Sequence, residues 1–233
     1  ASRRGYNLPK KISSTEFILF GQMKFSKSQH VGVWASDALG IADGEYWRYV
    51  ILSLRPERGD TSFSWQEFAK LVNSDLNDKV GNYAHRVLTF VKDRFNGSVP
   101  ENLKPSEEDR AFSEAIMKLE EEFIRLNYDL RIKDAARKFV EASELGNHYL
   151  SSQQPWNLYK SDKERASSVL YTSVQSLAHI AFMMYPVAPR RSQKLATMLG
   201  IASIEKPNRW EIVRPGTKIE RVEPLFQKIN IKY

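Results

Sequence analysis

Between Ser64 and Phe95 the apolar residues Leu76, Val80, Tyr83, Val87 and Phe90 recur at steps of four, three, four and three. Only an α-helix places such spacings on one side. A helix with one apolar side must be covered, so the chain has to supply partners for it. Ser64 with Glu67 three residues on reads as a capping box that starts this helix, which runs to about Phe95. Gly97 and Pro100 break the chain, and Pro105-Ser106 opens a second long helix to about Asp129. The pattern predicts a third helix from about Leu130 to Ser152 and a fourth from Ser161 to Tyr185, ended by Pro186 and Pro189. A short fifth over 190–199 stops at Gly200. Antiparallel helices with short joints make a bundle.

Ahead of the bundle the pattern is mixed. The apolar runs "EFILF" and "VGVW" predict two short strands around a Lys-Ser loop, and "SDALGIADGEYWRYVILSL" predicts two helices ending before Pro56. "ERGDTSFSW" reads as a polar connection. From Lys206 onward prolines and glycines recur without a helical stripe, which predicts an extended tail lying over the rest. The expected fold is mainly α, with a small α+β segment leading into a helical bundle.

Charge and composition narrow the function. The 233 residues carry a formal net charge of +7, a balance that favours an acidic partner such as nucleic acid. That charge is uneven: residues 107–122 hold seven carboxylates against Arg110 and Lys118, so this segment is −5 and the remainder +12. A basic side facing a partner and an acidic side facing water are expected. The absence of cysteine excludes disulfides, thiolate metal sites and cysteine nucleophiles, and the four separated histidines suggest no metal site. No run approaches the roughly 20 apolar residues of a membrane span and no secretory signal opens the chain, so a cytoplasmic protein without a membrane partner is expected.

Three short stretches could carry chemistry. In "GQMKFSKSQH", Lys24 and Lys27 alternate with Ser26 and Ser28, either to hold a polyphosphate or as a solvated basic turn. In "VGNYAHR", Asn82 and Arg86 lie four apart, about 40° around a helix. An amide beside a guanidinium makes an edge suited to reading a base; the plainer alternative is two solvated side chains. In "SSQQPWNLYK", Pro155 ends a helix and sets Trp156 on a stiff turn, either as a stacking platform for an unpaired base or as a plug in the core. Trp34, Trp47, Trp65 and Trp210 read as core or tail packing, and His85 and His179 as structural.

Taken in order, "KFSKS", "VGVW", "YWRYVILSLRPERGDTSFSW", "NDKVGNYAHR" and "QQPW" resemble methionyl-tRNA synthetase, most nearly its archaeal and eukaryotic branch, over nearly the whole chain. Residues 24–28 match the family's Lys-Met-Ser-Lys-Ser (KMSKS) signature with Phe25 in place of methionine. The resemblance implies a catalytic role for Lys24, Ser26, Lys27 and Ser28, with Lys27 binding ATP, and Mg²⁺ accompanying the nucleotide. A cation aimed at the β- and γ-phosphates stabilises the charge that builds as pyrophosphate leaves. It also implies that Asn82, Arg86 and Trp156 read the CAU anticodon of methionine tRNA, the polar pair at base edges and the indole by stacking.

The resemblance further implies an architecture. Residues 1–72 would be the end of a class I, Rossmann-type catalytic domain with the signature loop and a connecting fold. Residues 73–203 would be a helical anticodon-binding domain, and 204–233 a tail packing back toward the catalytic side. The family's His-Ile-Gly-His signature and zinc knuckle have no counterpart here. The chain therefore looks like the C-terminal part of a methionine–tRNA ligase that joins an N-terminal catalytic domain and does not activate methionine alone. The synthetases for isoleucine, valine, leucine or cysteine, and a non-catalytic RNA-binding module, stand as alternatives.

Overall fold

The computed structural model describes Gly5 and residues 7–231. Strand β1 (Ile18–Phe20) turns through Gly21, at φ +62°, into β2 (Met23–Lys24), and the two pair antiparallel with Leu19 opposite Lys24. Parallel to β1 lies β3 (Thr61–Phe63), in register Ile18 to Thr61, giving the order β2-β1-β3. The first predicted strand is therefore present, but "VGVW" is not one. It makes a single bridge, Val31 to Ser26, because Gly32 sits at φ +150° with the Phe25 ring packed over it. Strand β3 hides in the stretch read as a polar connection. Three residues are too few to show alternation, and its partner is 43 positions away.

Helices α1 (Ala35–Ile41) and α2 (Gly44–Ser53) cross between β1 and β3. Asp43 caps α2 by accepting from the Glu45 N–H at 2.9 Å. Trp47, Phe63, Trp65 and Phe68 form an aromatic cluster in which the Trp47 and Phe68 rings lie 4.2 Å apart. Trp34, expected in the core, is 42% exposed, since as the N-cap of α1 it sits at the rim of the sheet.

The long helix starts at Ser64, whose hydroxyl accepts from the Glu67 N–H at 3.1 Å. It is continuous to Arg94 in three parts: α3 (Trp65–Lys70), a π-helical stretch (Leu71–Gly81) and α4 (Asn82–Arg94). The stripe is inward, with Leu76, Val80, Tyr83 and Val87 buried and Phe90 half-buried against Tyr159. Helix α5 (Glu107–Tyr128) carries a complete capping box between Ser106 and Asp109. The single helix expected over 130–152 is two, α6 (Ile132–Ala135) and α7 (Lys138–Gln153); the Lys133 N–H is drawn away to Glu57 Oε1 at 2.9 Å.

A further helix, α8 (Pro155–Ser161), precedes α9 (Lys163–Met184) and α10 (Pro189–Met198). Helix α9 is the axis of the bundle and is buried almost all round, enclosed by its neighbours although it carries several polar residues. Its buried serines are all satisfied: Ser173 Oγ donates to the Val169 carbonyl at 2.8 Å and Ser176 Oγ to that of Ser173, while Ser167 donates to the Glu101 carbonyl and Ser168 accepts from the Lys104 N–H.

Among the described residues beyond Gly200 the tail has no helix or strand, apart from one bridge between Lys218 and Ser98. Side-chain amides hold it instead. Fully buried Gln175 accepts from the N–H groups of Ile212 and Val213 at 2.8 and 2.9 Å and donates to the Val213 carbonyl at 2.7 Å. Asn73 exchanges both amide bonds with Ile229, at 2.8 and 2.9 Å. Trp210 stacks on His179, 4.9 Å between rings, while His179 Nδ1 lies 2.6 Å from Glu120 Oε2. Among the described residues no helix is long and apolar enough to cross a membrane.

Candidate nucleic-acid interface

Asn82 opens α4 where the π-helical stretch ends, and Arg86 follows one turn later. Both side chains converge on Asn147 of α7. The Asn147 Oδ1 accepts from Arg86 Nη1 at 3.2 Å and from Asn82 Nδ2 at 3.4 Å. Its Nδ2 donates to the carbonyls of Lys79, at 2.8 Å, and Ser143, at 3.0 Å. The amide of Asn147 thus takes up a carbonyl of the π-helical stretch and fixes the azimuth of the Arg86 guanidinium. Lys79 is itself held: partial burial lowers its pKa, but ion pairs to Glu144 (3.2 Å) and Asp75 (3.3 Å) outweigh that and leave it raised.

The helices come this close because residue 146 is glycine. A Cβ there would stand 2.2 Å from Tyr83 Cζ. Tyr83 is fully buried and its hydroxyl meets Ser176 Oγ at 2.6 Å, so the ring has nowhere to retreat. Gly146 and Asn147 went unnoticed in the sequence. The available signal was glycine inside a helical run, which costs about 1 kcal/mol against alanine and marks a close approach.

Trp156 is 41% exposed, and its ring lies 5.6 Å from the Arg86 guanidinium carbon. It occupies the first turn of α8 rather than the turn expected. Gln154 adopts a left-handed conformation, φ 47°, and Pro155 then begins α8 at a position where its missing N–H costs nothing. Below this junction Arg165 of α9 grips Asp109 with two bonds of 2.6 Å and donates to Gln153 Oε1 at 2.7 Å. Burial and Asp109 together push the Tyr149 hydroxyl far up its scale, so it stays protonated and donates to the same carboxylate. Arg86, Thr89, Phe90, Asp93, Leu150 and Trp156 are among the walls of a groove of about 410 Å³. Among the described residues Arg86 has no carboxylate partner. The result is an unpaired guanidinium beside an open indole face, over an apolar floor.

The Lys-Ser loop is a separate, closed turn. Ser26 and Val31 exchange backbone bonds at 2.9 and 3.0 Å, the Gln29 N–H donates to Ser26 Oγ at 3.3 Å, and Ser26 and Ser28 hydroxyls lie 3.2 Å apart. Phe25 fits the sheet edge through Phe20, 5.8 Å between rings, and Lys24 Nζ lies 4.5 Å over Phe17. Lys27 is exposed at the tip and forms no ion pair among the described residues.

A small α+β segment that carries such a loop and leads into a helical bundle is the arrangement the family comparisons match. Residues 1–88 match the family model for tRNA synthetases class I (M). Residues 99–232 match that for the anticodon binding domain of methionyl tRNA ligase. The chain belongs to the methionyl-tRNA synthetase family. It is 40% identical to the methionine–tRNA ligase of Thermofilum pendens and 42% identical to that of Pyrobaculum arsenaticum, each over 99% of this chain. It covers 41% and 40% of those proteins, so the chain spans about two-fifths of the length of the curated relatives it matches. The apo crystal structure of Mycobacterium tuberculosis methionyl-tRNA synthetase superposes with a TM-score of 0.81 at 25% identity, over 98% of this chain and 45% of that one. The same enzyme in complex with methionyl-adenylate gives 0.82 at 26%, over 95% and 45%.

Proposed function

We propose that Asn82, Arg86 and Trp156 read the CAU anticodon of methionine tRNA, on a chain that forms part of a methionine–tRNA ligase. The observation that carries this reading is the convergence of Asn82 and Arg86 on Asn147 beside the exposed Trp156 ring. One Arg86 nitrogen is spent on Asn147, which orients the guanidinium and leaves other donors for base edges. The indole supplies stacking, to which any base responds, and the stack positions the base whose edge Arg86 then tests. In this reading 1–72 close the catalytic side, 73–203 hold the anticodon, and 204–233 strap the two together.

In the complete ligase Lys27 serves ATP during methionine activation. It is an exposed ammonium on a turn tied by four internal hydrogen bonds and hydroxyl contacts, suited to approach a polyphosphate without first shedding a partner. The residues here bind and orient; the departure of pyrophosphate is assisted by their charge alone.

The reading is tested with stem-loops carrying CAU or altered anticodons. Trp156→Ala weakens all of them together, by roughly 1–3 kcal/mol, and Trp156→Phe retains most of the affinity. A Trp156→Ala protein that binds every loop like wild type, or that loses affinity only in proportion to lost folding, contradicts the assignment.

A further inference from the structure

The groove at Trp156 is not the end of the concave surface on α4. Successive turns of the long helix bring Asn77, Asp78, Gly81, Asn82 and His85 to one side, where they face the tail segment Pro224–Lys228 across a second groove of about 560 Å³. His85 lines both grooves, so the two adjoin at this residue. We propose that this second groove is a nucleobase subsite, taking the base of a nucleotide that flanks the anticodon. The inference rests on the anticodon reading and extends it by one base.

The lining argues for a base rather than a phosphate. Asp78 and Lys228 pair at 3.0 Å, so the groove's ammonium is already matched by a carboxylate and offers a phosphate no net positive charge. What remains is the amide of Asn77, which donates to Asp78 Oδ1 at 2.8 Å and keeps its oxygen and second N–H for a base edge, beside the flat exposed imidazole of His85 and the ring of Pro224. Amides pair with base edges and imidazoles stack on base faces. The groove is also preformed. The tail lies against the helix at Gly81, and Phe226 is buried 5.9 Å from the Tyr46 ring. Lys194 Nζ donates to the Pro224 carbonyl and Arg191 Nε to that of Leu225, each at 3.1 Å, while Tyr46 accepts from the Gln227 N–H at 2.8 Å, so both ends of the wall are pinned. The tail thereby becomes one side of the RNA site.

The test measures the affinity of this chain for CAU stem-loops that are intact or lack the base at either nucleotide flanking the anticodon. With the wild-type chain, removal of one flanking base weakens binding by about 5- to 150-fold, the range for one stacked base. His85→Ala, an exposed position, loses the same factor on the intact loop and nothing further on that abasic loop. His85→Phe keeps the affinity of wild type. Tolerance of both abasic loops overturns the subsite. Equal weakening of intact and abasic loops by His85→Ala also overturns it, and indicates a phosphate contact instead. If His85→Phe behaves like His85→Ala, stacking is excluded and the subsite falls. In each of these cases Arg86→Ala still weakens the intact loop. If Arg86→Ala binds that loop like wild type, the anticodon reading itself fails and the subsite with it.

Discussion

At the scale of single residues, the proposed interface depends on side chains that RNA would never touch. Asn147 closes four hydrogen bonds, to Lys79, Ser143, Asn82 and Arg86. Asn147→Ala leaves the Lys79 carbonyl and the Arg86 guanidinium without that partner. A lost bond of this kind costs about 1 kcal/mol of stability. The expected outcome is a small fall in urea midpoint together with weaker discrimination among anticodons; a large fall with unchanged discrimination contradicts a positioning role. Gly146→Ala is harsher, because its Cβ meets the Tyr83 ring and overpacking of this kind costs roughly 1–3 kcal/mol. Thermal melting reads it directly. Asn82, Arg86 and Trp156 were visible in the sequence through chemical type and helical spacing. Asn147 was not, since its role arises from a contact between helices 61 positions apart in sequence.

At the scale of elements, helix termini carry much of the architecture. The N-terminus of α10 is clasped to that of α2: Glu45 accepts from the Arg190 and Arg191 N–H groups, and Arg191 reaches Glu45 at 2.6 Å and Asp43 at 2.9 Å. Partial burial pushes the Asp43 carboxyl up, but the Glu45 N–H and the two arginines outweigh it and hold its pKa below the ordinary value. A carboxyl lowered in the folded state adds stability above its unfolded pKa, near 4, and loses it as pH falls through the lower folded value. The urea midpoint of Asp43→Asn should therefore fall below wild type at pH 7, and the gap should narrow as pH drops below the ordinary carboxylate range. The Arg165–Asp109 pair joins α5 to α9 and holds α7 through Gln153. Asp109→Ala strands a nearly buried guanidinium, at a cost of roughly 3–5 kcal/mol. The long helices were legible because their stripes persist over many turns. Helix α8 was not, because proline was taken as a stop when it stands at a helix start. The π-helical stretch was not either, since its apolar residues also fit α spacing.

At the scale of the whole molecule, the fold covers the bundle with its own tail. Helix α5 turns Glu114 and Glu121 outward, while Glu120 is buried against His179. Reversing Glu114 and Glu121 to lysine should leave RNA affinity at or above wild type. Affinity should fall steeply with salt, and the slope should drop by about one for each phosphate-contacting Lys or Arg removed. Binding insensitive to salt would contradict the electrostatic part of the account. The mainly helical fold was readable because bundles are written in local periodicity. The tail's route was not, since isolated amides such as Gln175 and Asn73 fix it over distances that no local pattern encodes. The central claim is that Arg86 reads a base. Its most direct test is the ratio of dissociation constants for a CAU loop and one altered at the first anticodon base, measured for wild type and Arg86→Ala. Wild type should prefer CAU by roughly 1–3 kcal/mol, and a folded Arg86→Ala protein should lose most of that preference. A folded variant that keeps both the affinity and the ratio would contradict it.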